Sequence, residues 1–299
     1  MTATNAYQIS MRKMIIIVAA IVAVLVSANL YLLQDVSAAV ISGNCVDPAD
    51  IKPIDNSGRY CYSIPCGPKD DDRKVFTVDG LGQFCIERTI RDVIKHELKR
   101  GKRWEPEVVA LLTEYVKKGM RVIDVGAHIG THTIAMARLV GDEGLVFAFE
   151  PQVKIYQELL VNLDLNEITN VHTYFAALGE SQSRISMIPP PVYNEGHASV
   201  GEGGNRVELK TLDSYQFTDV SVIKIDVEGA ENGVLKGARQ TITQNKPVIL
   251  IEIMGGHDFD SATPEVKAKI QSTLDLLAEL GYETTKVQEH NYVALPRGR

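Results

Sequence analysis

Between residues 121 and 253, short and mostly apolar runs alternate with stretches whose apolar residues recur every three or four positions. The runs predict strands at 121–125, 145–149, 171–175, 221–225 and 248–253, and the intervening stretches predict helices. Strand and helix in alternation imply an α/β fold with a mostly parallel sheet and helices on both faces. Near the carboxyl end, Thr284–Val287 and Tyr292–Leu295 predict a closing hairpin of antiparallel strands. Upstream, residues 75–119 predict a helical cap over the pocket, with helices at Thr89–Lys99 and Glu107–Lys118. The stretch Pro189–Asn205 holds three prolines and four glycines, which predicts a surface loop able to serve as a lid.

The longest apolar run lies apart from this pattern. Met14–Leu33 is twenty residues without a charge, and as a helix it would span roughly 30 Å, the depth of a bilayer core. A soluble helix needs a polar face that this one lacks. A cleaved signal peptide is the rival, because Val36-Ser37-Ala38-Ala39 resembles a small-residue cleavage site, but the run exceeds the usual core of such peptides. Arg12 and Lys13 precede the run, and Asp35, Asp47 and Asp50 follow it. The positive-inside rule then gives a single-pass membrane protein whose carboxyl-terminal domain is lumenal or extracytoplasmic. The four cysteines, Cys45, Cys61, Cys66 and Cys85, all lie between the span and the alternating region, where two disulfides are the simplest use; a zinc site is the alternative. The expected organisation is a tail at 1–13, a span at 14–33, a cysteine-containing stem at 34–72, a helical cap at 73–119 and a catalytic domain at 120–299.

Candidate chemistry concentrates at the first predicted strand. Val122-Ile123-Asp124-Val125 runs into Gly126-Ala127-His128-Ile129-Gly130, a glycine turn that opens a helix. The second strand ends in Glu150, where a carboxylate would accept the two hydroxyls of a nucleotide ribose. The glycine spacing differs from the dinucleotide fingerprint, and Asp124 stands where a pyrophosphate would be repelled. A carboxylate there suits a ligand bearing an amino group and a sulfonium, as S-adenosyl-L-methionine does. A nucleotide-dependent oxidoreductase is a weaker reading, since the glycine spacing departs from the dinucleotide fingerprint.

Several separated motifs extend the argument: Trp104-Glu105-Pro106, Phe149-Glu150-Pro151, Asn162-Leu163-Asp164-Leu165-Asn166, Ala177-Leu178-Gly179-Glu180, Thr211-Leu212-Asp213-Ser214 and Ile225-Asp226-Val227-Glu228-Gly229-Ala230-Glu231. In this order they resemble the FkbM family of S-adenosylmethionine-dependent methyltransferases, over about two thirds of the chain. His128 departs from the family's usual Asn. The resemblance implies a class I methyltransferase, Rossmann-like sheet of seven strands and methyl transfer to a hydroxyl of a saccharide, glycolipid or polyketide-like acceptor. Cofactor contacts are then expected from Asp124, Gly126, Ala127, His128, Gly130, Glu150, Ala177 and Asp226, with Ala177 walling the adenine.

For a general base, Glu228 is the first candidate, Glu252 the second, and Asp226 can bind either the cofactor amino group or a substrate hydroxyl. His197, in the predicted lid, is an alternative base. Glu228 also has a purely structural reading, as the cap of the helix beginning near Gly229. A net charge of −7 argues against a nucleic-acid partner. The basic stretch Lys95–Arg103 reads as a solvated helix face. No metal constellation is expected, because His128 and His132, at helical spacing, lack the Glu of the zinc-protease pattern. A catalytically inactive scaffold with the same fold is the remaining alternative.

Overall fold

In the computed structural model, residues 73–88, 92–188, 199–200, 205–253, 262–288 and 290–298 are described. Two strands, β1 (Arg73–Val78) and β2 (Gly82–Glu87), form an antiparallel hairpin and lead into α1 (Val93–Lys99) and α2 (Pro106–Tyr115). Then come β3 (Arg121–Val125), α3 (Thr131–Val140), β4 (Leu145–Phe149), α4 (Val153–Leu165) and β5 (Val171–Tyr174). Four short strands interrupt the alternation: β6 (Ala177–Leu178), β7 (Ser183–Ile188), β8 (Ser199–Val200) and β9 (Asn205–Lys210). After a 3-10 turn at Leu212–Tyr215 follow β10 (Val220–Ile225), α5 (Glu231–Lys236), α6 (Arg239–Asn245), β11 (Val248–Glu252), α7 (Pro264–Glu279), β12 (Tyr282–Gln288) and β13 (Asn291–Pro296).

Seven strands make the main sheet in the order β12-β13-β11-β10-β3-β4-β5. The five from β11 to β5 are parallel, and β13 runs antiparallel to both β11 and β12, so the sheet is mixed and closes on the predicted hairpin. Its central strands are apolar on both faces, as parallel strands covered by helices must be. Successive residues serve different layers: Val122, Val146 and Val222 pack with Ile134, Leu112 and Leu159, whereas Ile123, Phe147 and Ile223 pack with Leu235, Ile242 and Leu277.

The cap departs from the expected all-helical segment. Its first part is the β1–β2 hairpin, because Val75-Phe76-Thr77-Val78 favours extended backbone and Asp79-Gly80 provides the tight turn. The hairpin and α1 are pinned to α4. Asn166 Oδ1 accepts the Gln83 N–H at 2.9 Å and its Nδ2 donates to the Gln83 carbonyl at 2.7 Å. Asn162 Oδ1 accepts the Cys85 N–H at 2.8 Å, and its Nδ2 donates to the Ile129 carbonyl in the glycine turn at 2.9 Å. Lys95 is not on a solvated face: it is fully buried and ion-paired with Glu158 of α4, which Arg73 also approaches. A buried cation of this kind needs a buried anion, and Glu158 supplies it.

The predicted lid forms strand at Ser199–Val200, paired with Met187–Ile188 of β7; Asn205, its last residue, begins β9, and the rest of it, His197 included, lies outside the described residues. The Met14–Leu33 run and three of the cysteines also lie outside them. Among the described residues no helix is long and apolar enough to cross a membrane. Cys85 is disulfide-bonded.

Candidate active site

The carboxyl ends of β3, β4 and β10 open onto a cavity of about 560 Å³. Open parallel sheets place their ligand sites at this edge. One wall is the glycine turn. Gly126 has φ +87°, and a Cβ there would stand 1.8 Å from the Asp226 carbonyl oxygen, so only glycine lets the β3 turn pass the β10 tip. His128, on the same wall, has φ +49°, a conformation that Asn and His tolerate better than most residues.

Glu150 follows β4 and is buried on the cavity wall. Its Oε2 accepts the His128 N–H at 2.9 Å and its Oε1 accepts the Gln152 N–H at 2.8 Å. Burial pushes its carboxyl up to about 7, against the lowering effect of those two backbone donors. Ala177 and Leu178 of β6, with Ile185 and Met187 of β7 and Leu209 of β9, give a continuous apolar wall beside it. Ile94 of α1 lines the cavity as well, whereas no residue of α2 does.

At the β10 tip the lining becomes acidic. Asp226 and Glu228 face the same cavity, and Glu228 adopts φ +50° ahead of Gly229 at φ +97°. A non-glycine residue at positive φ is held there by its surroundings. Glu228 is exposed, yet partial desolvation, with Asp226 and Glu231 as like-charged neighbours, pushes its carboxyl up to about 7. Closing the following turn falls to Glu231, whose Oε1 accepts the Gly229 N–H.

Behind Asp226 lies a second, water-sized chamber lined by Glu105, Lys224, Asp226, Glu252, Asn291 and Tyr292. Lys224 Nζ is 3.1 Å from Asp226 Oδ2, 3.4 Å from Asp124 Oδ1 and 3.4 Å from the Gly126 carbonyl oxygen. Burial works against the Lys224 charge, but Asp226, Asp124 and Glu105 outweigh it and hold the ammonium well above its ordinary range. Burial alone would raise Asp226; Lys224 brings it below the usual carboxylate range. Glu252 goes the other way, to about 9, through burial and the Asp226 charge, and its side chain hydrogen-bonds Asp226. Asp226 therefore carries the charge and Glu252 the proton.

The structure brings Gly126, His128, Glu150, Ala177, Asp226 and Glu228 to one cavity. It does not bring Asp124, Ala127 or Gly130 to the wall. Asp124 is fully buried, and the cation it meets is Lys224 of the chain itself, with Thr133 Oγ1 donating to its Oδ2 at 2.7 Å. Ala127 is buried and donates its N–H to the Phe149 carbonyl; Gly130, at φ +94°, starts α3. Glu252 belongs to the small chamber only. Two site residues were not expected. Glu105 lay within the Trp104-Glu105-Pro106 motif but had no assigned role, and Lys224 reads in sequence as a lone charge in a strand.

The cavity suits S-adenosylmethionine on three observations: a buried carboxylate at the second strand tip, a glycine turn whose Gly126 lines the cavity while passing close to the β10 tip, and a volume within the range of small-molecule sites. Residues 124–284 match the methyltransferase FkbM domain. A hexuronic acid methyltransferase of Haloferax volcanii, AglP, is 31% identical over 203 residues, covering 66% of this chain and 80% of that protein. A protein-L-isoaspartate O-methyltransferase of Thermotoga maritima is 38% identical over 69 residues, 22% of each chain. Among solved structures, an FkbM methyltransferase from Methylobacillus flagellatus aligns over 68% of this chain and 52% of its own, at 19% identity and a TM-score of 0.41. By domain match and by likeness to AglP, the chain belongs to the FkbM family and is an S-adenosylmethionine-dependent methyltransferase.

Proposed function

We propose that the protein is a membrane-anchored O-methyltransferase acting on a hydroxyl of a saccharide, glycolipid or polyketide-like acceptor, with Glu228 as general base. The observation that carries this reading is the position of Glu228: it shares the cofactor cavity with Asp226, in a strained conformation, with its carboxyl raised to about 7. A base works best when its pKa lies near the working pH. Glu252 suits the role less, because it lies in the small chamber and holds its proton through neutral pH. The likeness to a hexuronic acid methyltransferase supports a sugar-type acceptor.

Bound in this cavity, S-adenosylmethionine supplies an electrophilic methyl group on a sulfonium. The residues of the chain bind, orient and exclude water. Glu150 would receive the ribose hydroxyls, the turn from Gly126 to His128 would hold the amino-acid portion, and Ala177 would wall the adenine. Asp226, its charge balanced by Lys224, is placed to accept from an ammonium or an acceptor hydroxyl. Glu228 takes the proton of the attacking hydroxyl, which alone is a weak nucleophile at neutral pH.

The test is methyl transfer from S-adenosylmethionine to a panel of uronic-acid and neutral glycan acceptors. Glu228→Gln should lose about 10²–10⁴-fold in turnover while S-adenosylhomocysteine binding is kept. Unchanged turnover would remove Glu228 from the role. Absence of S-adenosylhomocysteine binding by the folded wild type would favour a scaffold that has lost catalysis.

A further inference from the structure

We infer that Glu105, delivered by the cap, is a positioning residue of the reaction centre: it closes the small chamber behind Asp226 and controls the charge on the Asp226–Glu252 pair. The inference rests on the methyltransferase reading of the larger cavity.

The backbone argues first. Glu105 has φ +42° and ψ +65°, left-handed, and immediately precedes Pro106. A residue before proline is driven to extended backbone, and a left-handed Glu is uncommon anywhere, so this conformation persists only where the surroundings enforce it. Three of the non-glycine residues at positive φ are Glu105, His128 and Glu228, and all three wall one of these two adjoining spaces. Asp226 is the wall that the spaces share. Whatever alters charge in the small chamber is therefore felt at Glu228 in the large one.

The charges facing Glu105 come from every element packed around it. His132 of α3 lies 3.8 Å from its Oε2. Buried beside Lys224, the His132 ring is pushed down to about 3 and stays neutral, so it gives Glu105 no positive partner. From β10 come Lys224 and Asp226, from the turn beyond it Glu228, from β11 Glu252, from β13 Tyr292, and from its own helix Glu107. Lys224 is the one cation among these, and it is 3.1 Å from Asp226 and 3.4 Å from Asp124. Burial first, then Asp226, pushes the Glu105 carboxyl up to about 7. Near neutrality Glu105 thus passes from uncharged to charged. Its charge, once formed, repels those on Asp226 and Glu228, and so strengthens Glu228 as a proton acceptor.

The sign of the stability effect follows. The folded state holds the Glu105 proton up to about pH 7, while an unfolded Glu releases it near 4.5. Stability from this group is complete below about 4.5 and lost as pH rises through 7. Glu105→Gln keeps the shape without the charge. In the full chain purified in detergent, the variant's melting temperature relative to wild type should be higher at pH 8.5 than at pH 5, by a few degrees (about 2–4 °C per kcal/mol for a domain of this size). Glu252→Gln should behave alike, and the double variant should gain less than the sum, as residues sharing one chamber do. A constant offset between the two pH values, or fully additive gains, would overturn the inference. Should Glu105→Gln fail to fold, the pH dependence of the Glu252→Gln melt with and without Glu105→Asp decides it. Stabilisation of the wild type by S-adenosylhomocysteine, measured in the same scans, tests the methyltransferase reading separately.

Discussion

Glu150 is poised between two influences. Burial raises its carboxyl to about 7, whereas hydroxyl donors from a ribose would favour the ionised form. Cofactor affinity should accordingly strengthen as pH rises through 7, and calorimetric titration of S-adenosylhomocysteine across pH 6–8 should show it. Glu150→Gln should bind more weakly and without that slope. The same scale shows where reading the chain falls short. Gly126, Glu150 and Asp226 were legible because each sits at the end of an apolar run, where strand direction fixes position. Lys224 was not, because its partners are set by register: it pairs across β10 and β3 with Asp124, a hundred residues earlier. Asp124 was misjudged for the same reason, since a carboxylate beside a glycine turn reads as a ligand contact until the neighbouring strand supplies a buried ammonium. Glu105 depends on a left-handed backbone before proline, which no local preference announces.

At the level of elements, several residues of the family motifs prove to be joints. Asp213 accepts the Gln240 and Thr241 N–H groups at 3.0 and 2.8 Å and so caps α6. Gly179 lies so close to Gly237 that a Cβ on the latter would meet its carbonyl oxygen at 1.9 Å. Asn162 and Asn166 hold the cap hairpin to α4. Asn162→Ala would leave the buried Cys85 N–H and Ile129 carbonyl without their partner, at a cost of about 1–3 kcal/mol each. Thermal unfolding should register that loss, and S-adenosylhomocysteine affinity should fall with it, although Asn162 is no part of the cavity wall. The five parallel strands and the closing hairpin were readable from burial alone. The hairpin at residues 73–87 was hidden because neither strand alternates: β1 is mostly exposed, and β2 buries Phe84, Cys85 and Ile86 in succession. The small β6–β9 sheet was hidden because β6 and β8 are 2 residues each and β7 offers a single alternation, with Ser186 between the cavity-lining Ile185 and Met187.

For the whole molecule, the proposed anchor decides on which side of a membrane this chemistry would run. Arg12 and Lys13 ahead of the apolar run favour an extracytoplasmic domain, and the disulfide at Cys85 suits an oxidising compartment. This reading requires S-adenosylmethionine on that side. Alkylation of cells lysed directly into denaturant should leave Cys85 unlabelled until reductant is added, and a carboxyl-terminal tag should resist protease applied at the cytosolic face of the membrane; labelling without reduction, or cleavage from the cytosolic face, would place the domain in the cytosol. Reduction should also lower the melting temperature, since a native disulfide is worth about 2–4 kcal/mol.

The single side chain of Asn162 clasps the cap strand with one amide atom and the cofactor turn with the other. Strand and turn therefore cannot open to solvent independently; they share one opening event and one protection factor against amide hydrogen exchange. A ligand that quiets the turn will slow exchange in the hairpin too.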